Sequence, residues 1–483
     1  MSATGASGAP PRVVIAGVRS GVGKTTFACA LLAALTRRGL RAAPFKAGPD
    51  YLDPTYHARA AGAPCRNLDT WLLPPDAVRA LFGRAAAPAA VAVVEGVMGL
   101  YDGRAAGADG AGEEEGSTAH LAKLLDAPVL LVVDAAGTAR TAAAVVLGCQ
   151  RFDPAVRLAG VLLSGIASER HRELVSGPVE RATGLPVLGH LPRRPELALP
   201  ARHLGLVPAG EHGVGEAFFD RLAAQAEATV DVDAILAIAR GAPPLPAGDL
   251  SRLFPPAGPG ARARIALAQD DAFHFYYQDG LDLLRAHGAD LLPFSPLRDA
   301  ALPPGAQGLY LGGGFPEVFA AGLAANTPLR AAVRRAAAAG LPVYAECGGL
   351  MYLGRELVDA GGRAHPMAGV LPVRSEMGAT RVTVGYRQAT SRRRSPLLAP
   401  GQAVRGHEFH WSTLDAPAPP ATAAYDLAGA DGRPLGAEGF VAGPGGNVLA
   451  SYLHLHFGAD PRLAAAFVAA CAAGAGGAPG AAG

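Results

Sequence analysis

The stretch from Val13 to Arg38 constrains this chain more than any other. Val13-Val-Ile-Ala16 is a short apolar strand, Gly17-Val-Arg-Ser-Gly-Val-Gly-Lys-Thr-Thr26 is a glycine-rich loop, and Thr25–Arg38 reads as a helix. A loop of this kind turns its backbone N–H groups toward a phosphate, and the helix N-terminus adds partial positive charge. The spacing departs from the common phosphate-loop pattern, because the first glycine is Gly17 and position 18 is valine. Gly21, Gly23, Lys24, Thr25 and Thr26 are the expected ATP-binding residues. Lys24 is placed for the β- and γ-phosphates and Thr25 for Mg²⁺.

The pattern repeats downstream. Val91–Val94, Val129–Val133, Leu158–Leu163 and Val187–Leu191 read as buried strands with helical stretches between them. This alternation predicts a doubly wound parallel sheet over residues 12–240. Residues 241–263 are rich in Pro and Gly and read as a linker. A second α/β domain is expected over 264–471, beginning at Arg264–Ala268 and continuing through Gly308–Leu311, Leu341–Tyr344 and Val448–Leu453. The Ala/Gly tail at 472–483 reads as disordered. At 483 residues, half of them hydrophobic, the chain can bury more than one core. A net charge of +2 gives no argument for nucleic acid or an anionic membrane. The five cysteines are scattered, so no disulfide framework or CxxC metal site is indicated, and a reducing cytoplasm fits. No signal peptide is visible, and no apolar run reaches the ~18 residues of a membrane span.

Two further segments carry chemistry in the first half. Phe45-Lys-Ala-Gly-Pro-Asp-Tyr-Leu-Asp-Pro54 packs a lysine, two aspartates and two prolines into one short stretch. Val93-Val-Glu-Gly-Val-Met-Gly-Leu-Tyr-Asp-Gly103 is an apolar strand ending in Glu95. A carboxylate at a strand's C-terminal end, opposite the loop, is where a Mg²⁺ ligand belongs. Glu113-Glu-Glu115 reads as a solvated loop.

The second half carries a different chemistry. In Ala345-Glu-Cys-Gly-Gly349 a cysteine sits at a strand-to-helix turn, which presents a thiol as a nucleophile. The segment Ser451-Tyr-Leu-His-Leu-His-Phe457 offers a base. His454 and His456 are expected on one side of a strand Leu449–Leu455, so either qualifies. Gly312-Gly-Gly-Phe-Pro-Glu317 can supply a backbone N–H to an oxyanion beside that of Gly348, with Gly313 as its expected donor. His407 and His410, with His454 and His456, are a candidate metal cluster as an alternative.

Taken in order, GVxSGxGKTT, FKxGPDYLDP, VVEGVMGLYDG, GxYLGGGFPE, AECGGLMYLG, RGHEFHWS and ASYLHLHF resemble the cobyrinic acid and hydrogenobyrinic acid a,c-diamide synthase family over about residues 12–470. The resemblance implies an N-terminal P-loop ATPase domain akin to dethiobiotin synthetase and a C-terminal class I glutamine amidotransferase α/β domain. It implies ATP- and glutamine-dependent amidation of the a and c acetate groups of a corrinoid through acyl phosphates, in cobalamin biosynthesis. Cys347 is then the nucleophile and His454 its base. Thr25 and Glu95 are then the Mg²⁺ ligands. Asp50, Tyr51, Leu52 and Asp53 are then where ATP and the corrinoid carboxylate meet. The implied partners are the corrinoid, L-glutamine and ATP, and a homodimer is left open. Class I enzymes usually place a Glu two residues after the base; here that position is His456, and the orienting partner is open. Ser164 stands where relatives often carry an adenine-reading Asn. The rivals are amidation of other side chains, as in cobyric acid synthase, and a non-enzymatic P-loop switch with a degenerate amidase domain.

Overall fold

A computed structural model of the chain describes residues 10–104, 112–199, 201–202, 205–206, 214–255, 262–378 and 382–474. The chain divides into two compact units between Leu250 and Ser251.

The first unit is built on β1 (Arg12–Gly17), β2 (Ala42–Ala47), β3 (Arg66–Leu68), β4 (Val91–Glu95), β5 (Val129–Asp134), β6 (Leu158–Ile166) and β7 (Val187–Pro192). These seven strands form one sheet in the order β3-β2-β4-β1-β5-β6-β7, and every pairing is parallel. Strands buried on both faces can be apolar throughout, and β1, β2 and β4 are buried along their whole length. After β1 the chain crosses to β2 and β3, then returns through β4, and β5 opens the other side. The strand order therefore reverses around β1, and ligands bind at such a switch point, beyond the carboxyl ends of the strands. The loop from Gly17 to Lys24 occupies that position.

Helix α1 (Lys24–Arg37) and α2 (Asp53–Ala61) follow β1 and β2. Phe27 and Leu31 of α1 share a core with Phe218, Phe219, Leu222 and Ile235 from two later helices, Glu216–Thr229 and Val232–Arg240. The Pro/Gly stretch expected as a linker is not free chain over its first residues. The buried Arg12 guanidinium donates to the carbonyl of Pro243 at 2.6 Å and to that of Leu125 at 2.6 Å. A Cβ on Gly248 would lie 2.3 Å from the amide nitrogen of Ala80, so this glycine is needed for close packing on helix Pro75–Ala86. Residues 256–261 of that stretch lie outside the described residues.

The second unit includes the strands β8 (Ala263–Ala268), β9 (Phe273–Phe275), β10 (Ala289–Phe294), β11 (Gly308–Leu311), β12 (Gly313–Gly314), β13 (Val343–Glu346), β14 (Thr383–Ser391), β15 (Ala403–His410), β16 (Ala423–Gly429), β17 (Pro434–Ala442), β18 (Val448–Ser451) and β19 (His454–Leu455), and four further strands, Glu356–Val358, Ala364–Pro366, Arg374–Met377 and Ser412–Leu414, form a separate small sheet. Ten of them form one sheet in the order β10-β8-β11-β13-β18-β17-β16-β14-β15-β19. The first five are parallel. From β17 onward the pairings are antiparallel, and this ribbon is absent from the sequence-based expectation. The short pair β9 and β12 stands apart.

Residues 449–455 are not a single strand: β18 ends at Ser451, and β19 pairs instead with β15, His454 opposite His407. His456 already caps a 3-10 turn, Phe457–Ala459. Side-chain alternation therefore does not place the two histidines on one face. At the C-terminus, residues 472–474 close the helix Arg462–Gly474, and 475–483 lie outside the described residues.

Candidate active sites

The phosphate loop needs its glycines for conformation. Gly21 has φ of 75° and Gly23 φ of 99°, the left-handed region that favours glycine, and Gly23 stands at the N-cap of α1. Lys24 is buried, and its Nζ lies 3.1 Å from the carbonyl of Arg19 and 2.5 Å from that of Met98. Burial, and then the charge of Lys46, push its pKa down. Thr26, half-buried, continues the first turn of the helix.

Below the loop lies a buried charge network. Thr25 Oγ1 donates to Glu95 Oε1 at 2.9 Å. Lys46 Nζ lies 2.9 Å from the same oxygen and 2.5 Å from Asp53 Oδ2. His57 Nε2 is 2.6 Å from Glu95 Oε2. Burial alone would raise the Glu95 carboxyl, but Lys46 and His57 outweigh it and bring its pKa down to about 2. Asp53 behaves oppositely: burial, then Asp50 and Glu95, hold its carboxyl well above the usual range despite Lys46. Asp50 shapes the turn into α2, since its Oδ1 accepts from the amide of Leu52 at 2.7 Å. Tyr51 and Leu52 are half-buried in that same turn.

Lys46, His57 and Asn67 carry this network, and sequence reasoning assigns none of them a role. Asn67 Nδ2 donates to the carbonyls of Gly48 and Asp50, at 2.9 and 2.7 Å. Asp53 and His57 are four residues apart on α2, the spacing that sets two side chains on one helix face, and this is the signal that could have found His57. Asp102 Oδ2 accepts from the amide of Gly99, and Asp134 pairs with Arg19 at 2.8 Å. Ser164 lies beside the loop: a Cβ on Gly23 would sit 3.7 Å from its Cβ. In the acidic turn Glu115 pairs with Arg104 and Glu114 with Lys123.

The thiol site is assembled from three places in the second unit. Cys347 joins β13 to the helix Gly348–Leu353 with φ of 48° and ψ of −100°, a strained turn for a residue with a side chain. Its amide donates to the carbonyl of Ser451 at 2.7 Å, and its Sγ lies 3.8 Å from the carbonyl of Phe409. A Cβ on Gly348 would meet Pro316 at 3.0 Å and the amide nitrogen of Gly314 at 3.2 Å. A Cβ on Gly313 would sit 2.7 Å from the His454 ring. The glycine loop thus passes directly against Gly348, the residue that follows the cysteine, and against the histidine.

His454 is buried, and its Nδ1 lies 3.4 Å from Glu346 Oε2. Burial disfavours its charged form, but the bonds to Cys347 and Glu346 outweigh this and raise its pKa to about 10. His456 is different. Its Nδ1 accepts from the amide of Gly458 at 3.1 Å, its ring packs 4.7 Å from Tyr277, and burial pushes its pKa down to about 3.

The other histidines are engaged elsewhere. His410 donates from Nδ1 to the carbonyl of Ser412 at 2.8 Å and stacks on Tyr452 at 3.8 Å. His407 is pushed to about 3, first by burial and then by His454 and Arg387. Among the described residues no group of three or more His, Cys, Asp or Glu is placed to hold a metal ion.

A thiol–imidazole pair on an α/β scaffold, in the same chain as a phosphate loop, belongs to the class of glutamine amidotransferases that also bind a nucleotide. The CobQ/CobB/MinD/ParA nucleotide binding domain family matches residues 13–207, and the CobB/CobQ-like glutamine amidotransferase domain family matches residues 264–462. The chain is 47% identical to a cobyrinate a,c-diamide synthase of Dehalococcoides mccartyi, covering 95% of this chain and 97% of that one. It is 45% identical to the protein of that name in Salmonella typhimurium, over 95% and 97%. It is 44% identical to a hydrogenobyrinate a,c-diamide synthase of Streptomyces coelicolor, over 98% and 99%. The chain belongs to the cobyrinate/hydrogenobyrinate a,c-diamide synthase family.

Proposed function

We propose that this protein uses ATP and glutamine to convert the a and c acetate carboxylates of cobyrinate or hydrogenobyrinate to the a,c-diamide, in cobalamin biosynthesis. The carrying observation is that one chain of this family holds both a glycine-rich phosphate loop at a strand-to-helix turn and a buried His454 whose ring faces Glu346 and senses Cys347. A carboxylate is a poor electrophile at neutral pH. Transfer of the γ-phosphoryl group of ATP to a substrate carboxylate oxygen gives an acyl phosphate and ADP. Ammonia then attacks the acyl carbon and phosphate leaves. Ammonia in bulk water is mostly ammonium, so release from glutamine inside the protein keeps it reactive.

Lys24 neutralises the phosphates, and the loop amides from Gly21 to Thr26 cradle them. The turn Asp50–Asp53, whose Asp53 pairs with the Lys46 that also holds Glu95, receives the carboxylate to be phosphorylated. The oxygen donors Thr25 Oγ1 and Glu95, adjacent and with Glu95 ionised, fit Mg²⁺, which when bound withdraws charge from the transferring phosphoryl group. In the second unit Cys347 attacks the glutamine amide carbon. His454 takes the thiol proton and returns it to the departing ammonia, and water then hydrolyses the thioester. The amides of Gly313 and Gly348 stabilise the oxyanion. Among the described residues no helix is long and apolar enough to cross a membrane, and the free thiols fit a cytoplasmic setting.

The test is direct. The purified protein with ATP, Mg²⁺ and glutamine should amidate each corrinoid at both acetate groups, read by mass spectrometry and fragmentation. Amidation confined to propionate side chains would overturn the substrate assignment. Competing the two corrinoids in one vessel reads which is preferred.

The paired histidines give a second expected outcome. His454→Ala should slow trapping of Cys347 by a glutamine-analogue electrophile by roughly 10²-fold or more, the scale of a lost general base. His456→Ala should change it by far less, because His456 is bound to its own turn. A larger effect from the second substitution would reverse the roles.

A further inference from the structure

We propose that Glu346, the residue immediately before the nucleophile, is the positioning residue that orients His454. The inference rests on the glutamine-hydrolysing reading of the thiol site and names the partner of its base. Glu346 ends β13 and is 1% exposed, so its backbone is held by the sheet and its side chain is enclosed. Its Oε1 accepts from the amide of Leu455 at 3.0 Å and from the hydroxyl of Tyr344. Its Oε2 accepts from the hydroxyl of Tyr310 at 3.3 Å and faces His454 Nδ1 at 3.4 Å. Donors therefore hold both oxygens, and the one nearest the ring points at the nitrogen that must carry a proton if the other is to serve the thiol. A separation of 3.4 Å is long for a hydrogen bond, and such contacts in catalytic sites commonly tighten when substrate is bound.

His456, at the position where a carboxylate is usual, cannot take this role. Its Nδ1 is occupied by the Gly458 amide, and its ring lies against Tyr277. The other groups near His454 do not compete. Cys347 is its reaction partner. From β15, His407 and His410 are both pushed toward the neutral form, first by burial and with His454 and Arg387 contributing. Burial also holds Tyr310 and Tyr344 well above the ordinary phenol value, so they remain hydrogen-bond donors. Glu346 is the carboxylate that faces the ring, and the raised pKa of His454 fits that contact.

Two substitutions separate positioning from packing. Glu346→Gln keeps the shape and removes the charge; Glu346→Asp keeps the charge and shortens the reach. Glutamine hydrolysis is measured in the full chain across pH. Wild-type hydrolysis first establishes the underlying reading. Positioning predicts that the Gln variant loses roughly 10²-fold in kcat with KM for glutamine little changed, and that the Asp variant loses less. The sign of the pH effect follows from charge. Removing an anion beside the imidazolium lowers its pKa, so the alkaline decline in activity shifts to lower pH in the Gln variant. If wild type hydrolyses glutamine but the Asp variant is the more damaged, or the decline does not move, Glu346 only fills space and the proposal fails.

Discussion

Cys347→Ser is expected to lower glutamine-dependent diamide formation by at least about 10³-fold while amidation driven by high ammonium salt continues. Serine keeps the size of the side chain and a donor toward Phe409, so the strained turn and its contact with Ser451 should survive. What is lost is the thiol's acidity and nucleophilicity. A hydroxyl with its far higher pKa is not activated by a histidine tuned to a thiol. The ammonium-driven reaction needs only the acyl phosphate, whose groups all belong to the first unit. Measuring diamide with each nitrogen source decides the matter. Loss of the ammonium-driven reaction in a folded Cys347→Ser variant would sink the assignment of the two chemistries to two units.

Lys24→Ala should remove diamide formation with either nitrogen source, by about 10²–10³-fold or more, because no acyl phosphate forms. The lysine opens α1 directly behind the loop; Lys46, the other buried lysine nearby, is already engaged by Glu95 and Asp53 and cannot replace it. The substitution also removes a like charge beside Lys46, so the network beneath should tolerate it. Glutamine hydrolysis at Cys347 should persist. A variant that makes diamide at the wild-type rate would show that Lys24 does not handle phosphate.

Sequence reveals those parts of the two sites that lie in contiguous motifs. The strand, loop and helix around Gly21–Thr26 need each other within one stretch of chain, and Glu95 is marked by its place at the end of an apolar strand. Cys347 is marked by the glycines that let its turn approach Pro316 and Leu311. Lys46 is not legible in the same way. It sits in the buried strand Ala42–Ala47, and only the parallel register that sets it opposite Glu95 explains how a lysine is accommodated there. Glu346 is hidden for a related reason: it reads as a flank of the nucleophile, and its partner arrives from residue 454 by tertiary contact. The antiparallel strands after residue 382 give little signal because β14 and β15 are rich in charged and polar residues with few apolar ones, and much of their surface is exposed.

The backbone at Cys347 has a consequence for how such a chain changes over generations. A residue bearing a Cβ at φ 48° and ψ −100° carries about 1–3 kcal/mol of conformational cost, which glycine would escape at an added unfolded-chain entropy of roughly 1 kcal/mol. Glycine, which would abolish glutamine hydrolysis, therefore relieves backbone strain while giving up a side chain packed in the core of the second unit. In a lineage fed by free ammonia, the backbone would favour losing the thiol and only its packing would oppose the loss. Cysteine at this position is thus held by its chemistry against the preference of its own backbone.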